Sequence, residues 1–134
     1  MRIAIVMGAL ALAGCAANAD PYQNRAQERA ERALADALKD RVAGEPTDCI
    51  SASVSNGPQI IDANTLLYRQ GGKVWRNDLA GGCPGLDPND TLIIEIHGSQ
   101  LCRMDMVRVR EPGSSIPGPS CRLGKFTPYA KPKV

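Results

Sequence analysis

With 134 residues, 22% charged and 43% hydrophobic, the chain has room for one domain and the balance of a soluble globular protein, which excludes wholesale disorder. One Trp, one Phe and three Tyr make a thin core, so a domain this small needs covalent staples, and five cysteines are present. The formal net charge is +2, and no cluster of Lys and Arg interleaves with aromatics, which argues against a nucleic-acid partner.

The chain opens with Met1-Arg2, a short positive segment, and continues from Ile3 to Ala13 without a charged or polar side chain. A helical span needs about 20 residues, so this stretch has the length of a signal-peptide core instead. It ends in Leu12-Ala13-Gly14-Cys15, which resembles the lipobox of bacterial lipoproteins. That resemblance implies that residues 1–14 are a cleaved lipoprotein signal peptide. Cys15 then becomes the lipidated N-terminus and residues 15–19 form the anchor and linker. Several acyl chains hold a protein on a membrane where one would not. Ala16, rather than Asp, follows the cysteine, and by the rule known from enteric bacteria this directs the protein to the outer membrane, on its periplasmic side. A rival cut after Ala17-Asn18-Ala19 would release a soluble periplasmic protein. The lipobox is preferred because all four positions fit and the apolar stretch abuts it.

Residues 20–44 read as an amphipathic helix. Asp20 suits the N-cap, Pro21 the first helical position, and Gln23 the third position of a capping box. Ala26, Ala30, Ala33, Leu34, Ala37, Leu38 and Val42 recur at spacings of three and four, and Glu28 to Arg32 is a favourable i,i+4 pair. Gly44 and Pro46 are the stop signals. A stripe made mostly of alanine buries little area per turn, which suits loose packing on the chain's own domain or a stalk.

Residues 47–129 switch to short strands. Cys49–Val54 alternates loosely and Asn56-Gly57-Pro58 turns the chain, followed by Gln59–Ile61 and the turn Asp62-Ala63-Asn64. The clearest unit is a hairpin, Thr65–Gln70 and Lys73–Leu79 about Gly71-Gly72, which places Tyr68 opposite Trp75. Arg69, Lys73 and Arg76 read as strand-edge charge that deters aggregation. Thr91–Ile96 is a strand with Leu92, Ile94 and Ile96 inward, and Leu101–Val109 is the next strand after Gly98-Ser99. Residues 111–120 are a Pro- and Gly-rich loop, Cys121–Thr127 is the last strand, and 130–134 is a tail. Residues 98–134 carry seven Lys or Arg against Asp105 and Glu111, a basic end that can lean on anionic partners.

Leaving Cys15 aside, Cys49, Cys83, Cys102 and Cys121 are an even set in an exported chain, which implies two disulfides. The spacings of 34, 19 and 19 lack the C-x-x-C knuckles of a zinc site or a thioredoxin-like centre, so no metal is expected. Three connectivities are open. The nested one, Cys49–Cys121 with Cys83–Cys102, is preferred because it ties the first strand to the last and closes the hairpin after the 83–90 loop. The sequential pairing follows close behind.

His97, the only histidine, sits on the outward face of its strand with Glu95 and near Ser99. No Gly-x-Ser-x-Gly elbow accompanies it, so no catalytic residue is assigned. Asp87 and Asp90 lie in a turn where Asp serves local backbone hydrogen bonds. The Gly-Gly pairs lack the Lys-Ser/Thr of a phosphate loop.

Taken together, the lipobox, "NTLLYRQGGKVWRNDLAGGCPGL", "GSQLCRMDMVRV" and "CRLGKFTPY" resemble a family of short proteobacterial lipoproteins and periplasmic proteins catalogued only as a domain of unknown function. The likeness covers the leader and residues 47–129. It implies a compartment and a domain extent and carries over no catalytic residue.

The expected fold is α+β, mostly β: an N-terminal amphipathic helix followed by a small antiparallel β-domain with two disulfides. The expected role is that of a cell-envelope lipoprotein, structural or partner-binding, without a cofactor and not an enzyme. Its partners would be the membrane, through the lipid anchor, and an envelope protein or anionic envelope polymer. A small periplasmic hydrolase or ligand-binding carrier is the alternative.

Overall fold

A computed structural model describes residues 20–53 and 57–134. The signal peptide, Cys15 and the 15–19 linker lie outside the described residues, as do Val54 and Asn56.

Helix α1 spans Pro21–Leu38 and starts as read, with the Asp20 carboxylate accepting the Tyr22 amide at 3.0 Å and proline in the first turn. Its end differs from the expected stop at Gly44. Asp40 adopts a left-handed φ of 57°, which a short polar side chain tolerates, and the Arg41 amide returns to the Leu38 carbonyl. The chain then reverses into strand β1, Val42–Ala43. Val42 is therefore an exposed edge residue and no member of the helical stripe. A valine four residues after Leu38 fits either state, so periodicity could not separate them.

Strands β2 (Cys49–Ser51), β3 (Gln59–Ile60), β4 (Thr65–Gln70) and β5 (Lys73–Asp78) follow. Then come β6 (Thr91–Ile94), β7 (Gln100–Cys102), β8 (Met106–Arg110), β9 (Ser120–Arg122) and β10 (Phe126–Ala130). All pairings are antiparallel. One sheet has the order β1-β10-β5-β4-β3, a second joins β2 to β7, and a third runs β6-β8-β9. The β4–β5 hairpin has the expected register, Tyr68 facing Trp75, and only the first of its two turn glycines has positive φ, the pattern of a type II′ turn.

The five-stranded sheet is buried on both faces. Leu67, Val74 and Tyr129 pack under Ala30, Ala33, Leu34, Ala37 and Leu38 of α1. Leu66, Tyr68, Trp75 and Phe126 point the other way, into a core completed by Ile50, Leu101, Val107, Val109 and Leu123 from the two smaller sheets. Three layers result: helix, central sheet, paired small sheets. The arrangement explains why Leu66-Leu67-Tyr68 is an unbroken apolar run, since a strand covered on both faces has no polar side to alternate with. It also moves the β4–β5 hairpin to the interior of its sheet. Arg76, paired with Leu67 on one side and Thr127 on the other, is therefore not an edge charge, whereas Arg69 and Lys73 lie near the hairpin tip beyond the residues that β3 and β10 pair, and the outermost strands are the two-residue β1 and β3.

Two expected strands are broken. Leu101–Val109 divides at Met104, whose φ is 73°, so β7 joins β2 while β8 joins β6 and β9. Cys121–Thr127 divides at Gly124, so β9 and β10 serve different sheets, and β10 reaches Ala130 inside the expected tail. At that second break the buried Asn77 side chain takes the place of a strand neighbour. Its Nδ2 donates to the Gly124 carbonyl at 2.8 Å and its Oδ1 accepts the Gly124 amide at 2.9 Å. Strand β6 ends at Ile94, and Ile96, expected inward, is 45% exposed. Leu92 and Ile94 pack against the core as read.

The two disulfides are Cys49–Cys102 and Cys83–Cys121, an interlaced pattern that replaces the nested one. The break at Met104 explains the first, because β7 leaves the β8 hairpin to lie beside β2 with Cys102 opposite Cys49. A bridge between Ala80 and Arg122 explains the second, because it brings the 79–86 loop onto β9.

Candidate functional site

The carboxylates at 87 and 90 do the local work read from the turn: Asp87 accepts the Asn89 amide at 3.0 Å, and Asp90 accepts the Asp87 amide at 2.9 Å. His97 lies past the end of β6, exposed. Glu95 is engaged elsewhere, with its carboxylate 3.2 Å from the Arg108 guanidinium. A groove of about 250 Å³ between β6, β8 and the 111–118 loop takes Glu95 and Ser115 into its wall, and His97 is not part of it. The structure therefore does not bring His97, Glu95 and a serine together. Among the described residues, no three His, Cys, Asp or Glu side chains converge closely enough to hold a metal ion.

The basic C-terminal end does not gather into one patch. Arg103 and Lys125 approach Asp48 at 3.8 and 4.0 Å. Arg108, Arg110 and Arg122 alternate outward on the β6-β8-β9 sheet, where Arg110 donates to the Ser114 carbonyl at 3.3 Å. The hairpin cations separate as well. Lys73 sits 5.7 Å from the Trp75 ring centroid. Partial burial opposes the charge of Arg76, but the hydrogen bond and charge of Asp78, with Tyr129 adding to them, hold its pKa above the ordinary value.

Arg69 enters the larger concavity, a depression of about 490 Å³ where the C-terminal turn of α1 overhangs the central sheet. Ala33 and Ala37, which pack against the central sheet, also line it. Four cations line it, Lys39, Arg41, Arg69 and Lys131, against two carboxylates, Asp36 and Asp40. Arg41 is fixed by its Nη1, which donates to the Gly72 carbonyl at 2.6 Å and the Tyr129 carbonyl at 3.5 Å. Arg69, exposed, donates to Gln59 Oε1 at 3.2 Å. Both guanidinium groups keep donors to spare. Among the described residues, none of the six charged groups is in an ion pair with another.

The full chain, residues 1–134, matches the family of unknown function DUF6491. The chain belongs to that family. Comparison with curated proteins and with solved structures finds no match. In this DUF6491 member the depression joins residues from α1, the turn between α1 and β1, β3, β4 and the position that follows β10. Arg69 and Lys131 were legible only as charges of the hairpin and of the basic C-terminal end, with nothing in the sequence to link them. Arg41 was hidden inside the expected helix. No local pattern could have united them, because β5 and β10 pair across about 50 residues of chain.

Proposed function

We propose that this chain is a non-enzymatic cell-envelope lipoprotein, held on the periplasmic side of the outer membrane through Cys15, whose stapled domain binds an envelope partner. The observation that carries this reading is the division of α1. Residues from Ala30 to Leu38 provide its packing on the central sheet, whereas Pro21–Arg29 is exposed throughout. Nine exposed residues extend the helix about 13 Å beyond its packed part. Such a projecting half-helix, directly after a short linker, is a spacer between a lipid anchor and a domain. Two disulfides support export to an oxidising compartment. Glu95 held by Arg108, with His97 apart, supports a binding role over a hydrolytic one.

Metabolic labelling with a fatty-acid probe tests the anchor. The mature protein is expected to label and to partition into detergent, and Cys15→Ala to abolish both. A water-soluble mature form beginning at Asp20 overturns the lipoprotein reading in favour of the cut after Ala19. His97→Ala is expected to leave folding and any phenotype unchanged.

A further inference from the structure

We infer that the depression at the C-terminal end of α1 is a binding site for an anionic envelope polymer bearing phosphate or carboxylate groups. The inference rests on the lipoprotein reading for the origin of its partner. Four cations surround a concave surface with two carboxylates, and among the described residues none of the six is neutralised by an ion pair. Exposed Lys and Arg usually have solvent or a carboxylate as neighbour and gain little from it. Here Arg41 is held in place by two backbone carbonyls, so its remaining donors are ordered before a ligand arrives, and Arg69 beside it is bonded through one donor to Gln59. Prior ordering lowers the entropy cost of binding, and a guanidinium fork matches phosphate and carboxylate oxygens in pairs. Lys39 and Lys131 at the rim add long-range attraction that salt screens.

The place of the depression decides the class of anion. An anchor at Cys15 would put the start of α1 nearest the membrane, and the depression lies at the other end, some 18 residues along the helix. That separation is about 27 Å. With α1 standing along the membrane normal, headgroups of the anchoring leaflet are about three Debye lengths from the cations at physiological salt, where that length is about 8 Å. A polymer that rises from or lies above the membrane reaches the site. Among the described residues no aromatic side chain lines the wall, so recognition goes through charged groups and not through stacking on sugar rings.

The test is calorimetric titration of the full chain in detergent with polyphosphate and, separately, polygalacturonate, at low salt and at 0.15 M. Binding of at least one polymer, weakening as salt rises, is expected, and the better polymer distinguishes phosphate from carboxylate. Arg69→Gln with Lys131→Gln is expected to weaken binding by about tenfold without changing the melting temperature. Asp36→Asn, which removes a rim carboxylate, is expected to tighten it, a gain that misfolding cannot produce. Arg108→Gln with Arg122→Gln, on the far layer, is expected to have no effect.

Loss of binding in that far-layer variant, with Arg69 and Lys131 indifferent, overturns the assignment. So does failure to bind either polymer at low salt, or a preference confined to phosphatidylglycerol over phosphatidylcholine vesicles. Polymer binding by a form that takes no fatty-acid label upholds the depression while removing the anchor. A labelled form that binds neither polymer removes the depression alone.

Discussion

Cys49 and Cys102 face each other across the β2–β7 ladder, Cα atoms 4.0 Å apart and sulfurs bonded, so one bridge and one strand pairing hold the same two residues. Both are half-buried, whereas Cys83 and Cys121 are enclosed in the core. Peptide mapping without reductant is expected to recover Cys49 linked to Cys102 and Cys83 linked to Cys121. Limited treatment with a thiol is expected to open Cys49–Cys102 first, because exchange requires access to a sulfur. In the chain-entropy model, replacing Cys83 and Cys121 by alanine costs about 4 kcal/mol, a large share of the stability of so small a domain. A Cys49–Cys121 peptide would contradict the fold.

The Asn77–Gly124 pair carries the second prediction. Asn77→Ala leaves both Gly124 backbone groups buried without partners and is expected to cost about 2–4 kcal/mol. Gly124→Ala would drive its Cβ into the Asp78 carbonyl and is expected to cost about 3 kcal/mol. Urea midpoints measure both. Losses near zero would show that β9 and β10 can part at this point without the clamp.

Tyr68 stacks edge-on to Phe126, with ring centroids 5.8 Å apart, and its buried hydroxyl has no hydrogen-bond partner among the described residues. Tyr68→Phe keeps the ring and removes the orphan, and is expected to stabilise by up to about 1 kcal/mol. Burial pushes the Tyr68 phenol well above its ordinary pKa, because the enclosed phenolate is poorly solvated. The neutral phenol is thus favoured by folding. Its contribution is whole below the unfolded value of about 10 and is lost as pH rises through the higher folded value. Thermal melts from pH 8 upward are expected to fall above about pH 10, and to fall less in Tyr68→Phe. Identical alkaline profiles would mean that Tyr68 ionises as freely folded as unfolded.

The two halves of α1 are expected to behave differently. Ala26→Glu, on the projecting half, should stay within about 0.5 kcal/mol, whereas Ala30→Glu forces a carboxylate against Leu67 and Val74 and should cost about 2 kcal/mol or more. Hydrogen exchange should find the amides before Ala30 open well ahead of those from Glu31 to Leu38. Equal protection along the helix would show that something covers its first half.

Short-range chemistry is what the sequence determined by itself. Asp20-Pro21 started α1 as read, Gly71-Gly72 set a hairpin register that put Tyr68 against Trp75, and Asp87 closed its own turn. Four cysteines in the domain meant two bridges. The number of bridges follows from an even count of cysteines alone, and each of the other features depends on residues within about a dozen positions of one another, where turn geometry and side-chain reach leave a pattern to read.

Only the tertiary structure decided which cysteines meet, where α1 stops and where two strands break. Met104 and Gly124 mark points at which the chain changes sheet, and the reward for changing is paid in ladder bonds to β2 and β5, far away in sequence. The same holds for the depression. Arg41 reaches it because β1 pairs with β10 across 88 residues, and Lys131 because it directly follows Ala130, the last residue of that pairing. Such contacts are selected by mutual burial and by satisfying backbone groups between distant segments. Neither requirement imposes a period on the local sequence, so these partners became visible only when the three layers closed on one another.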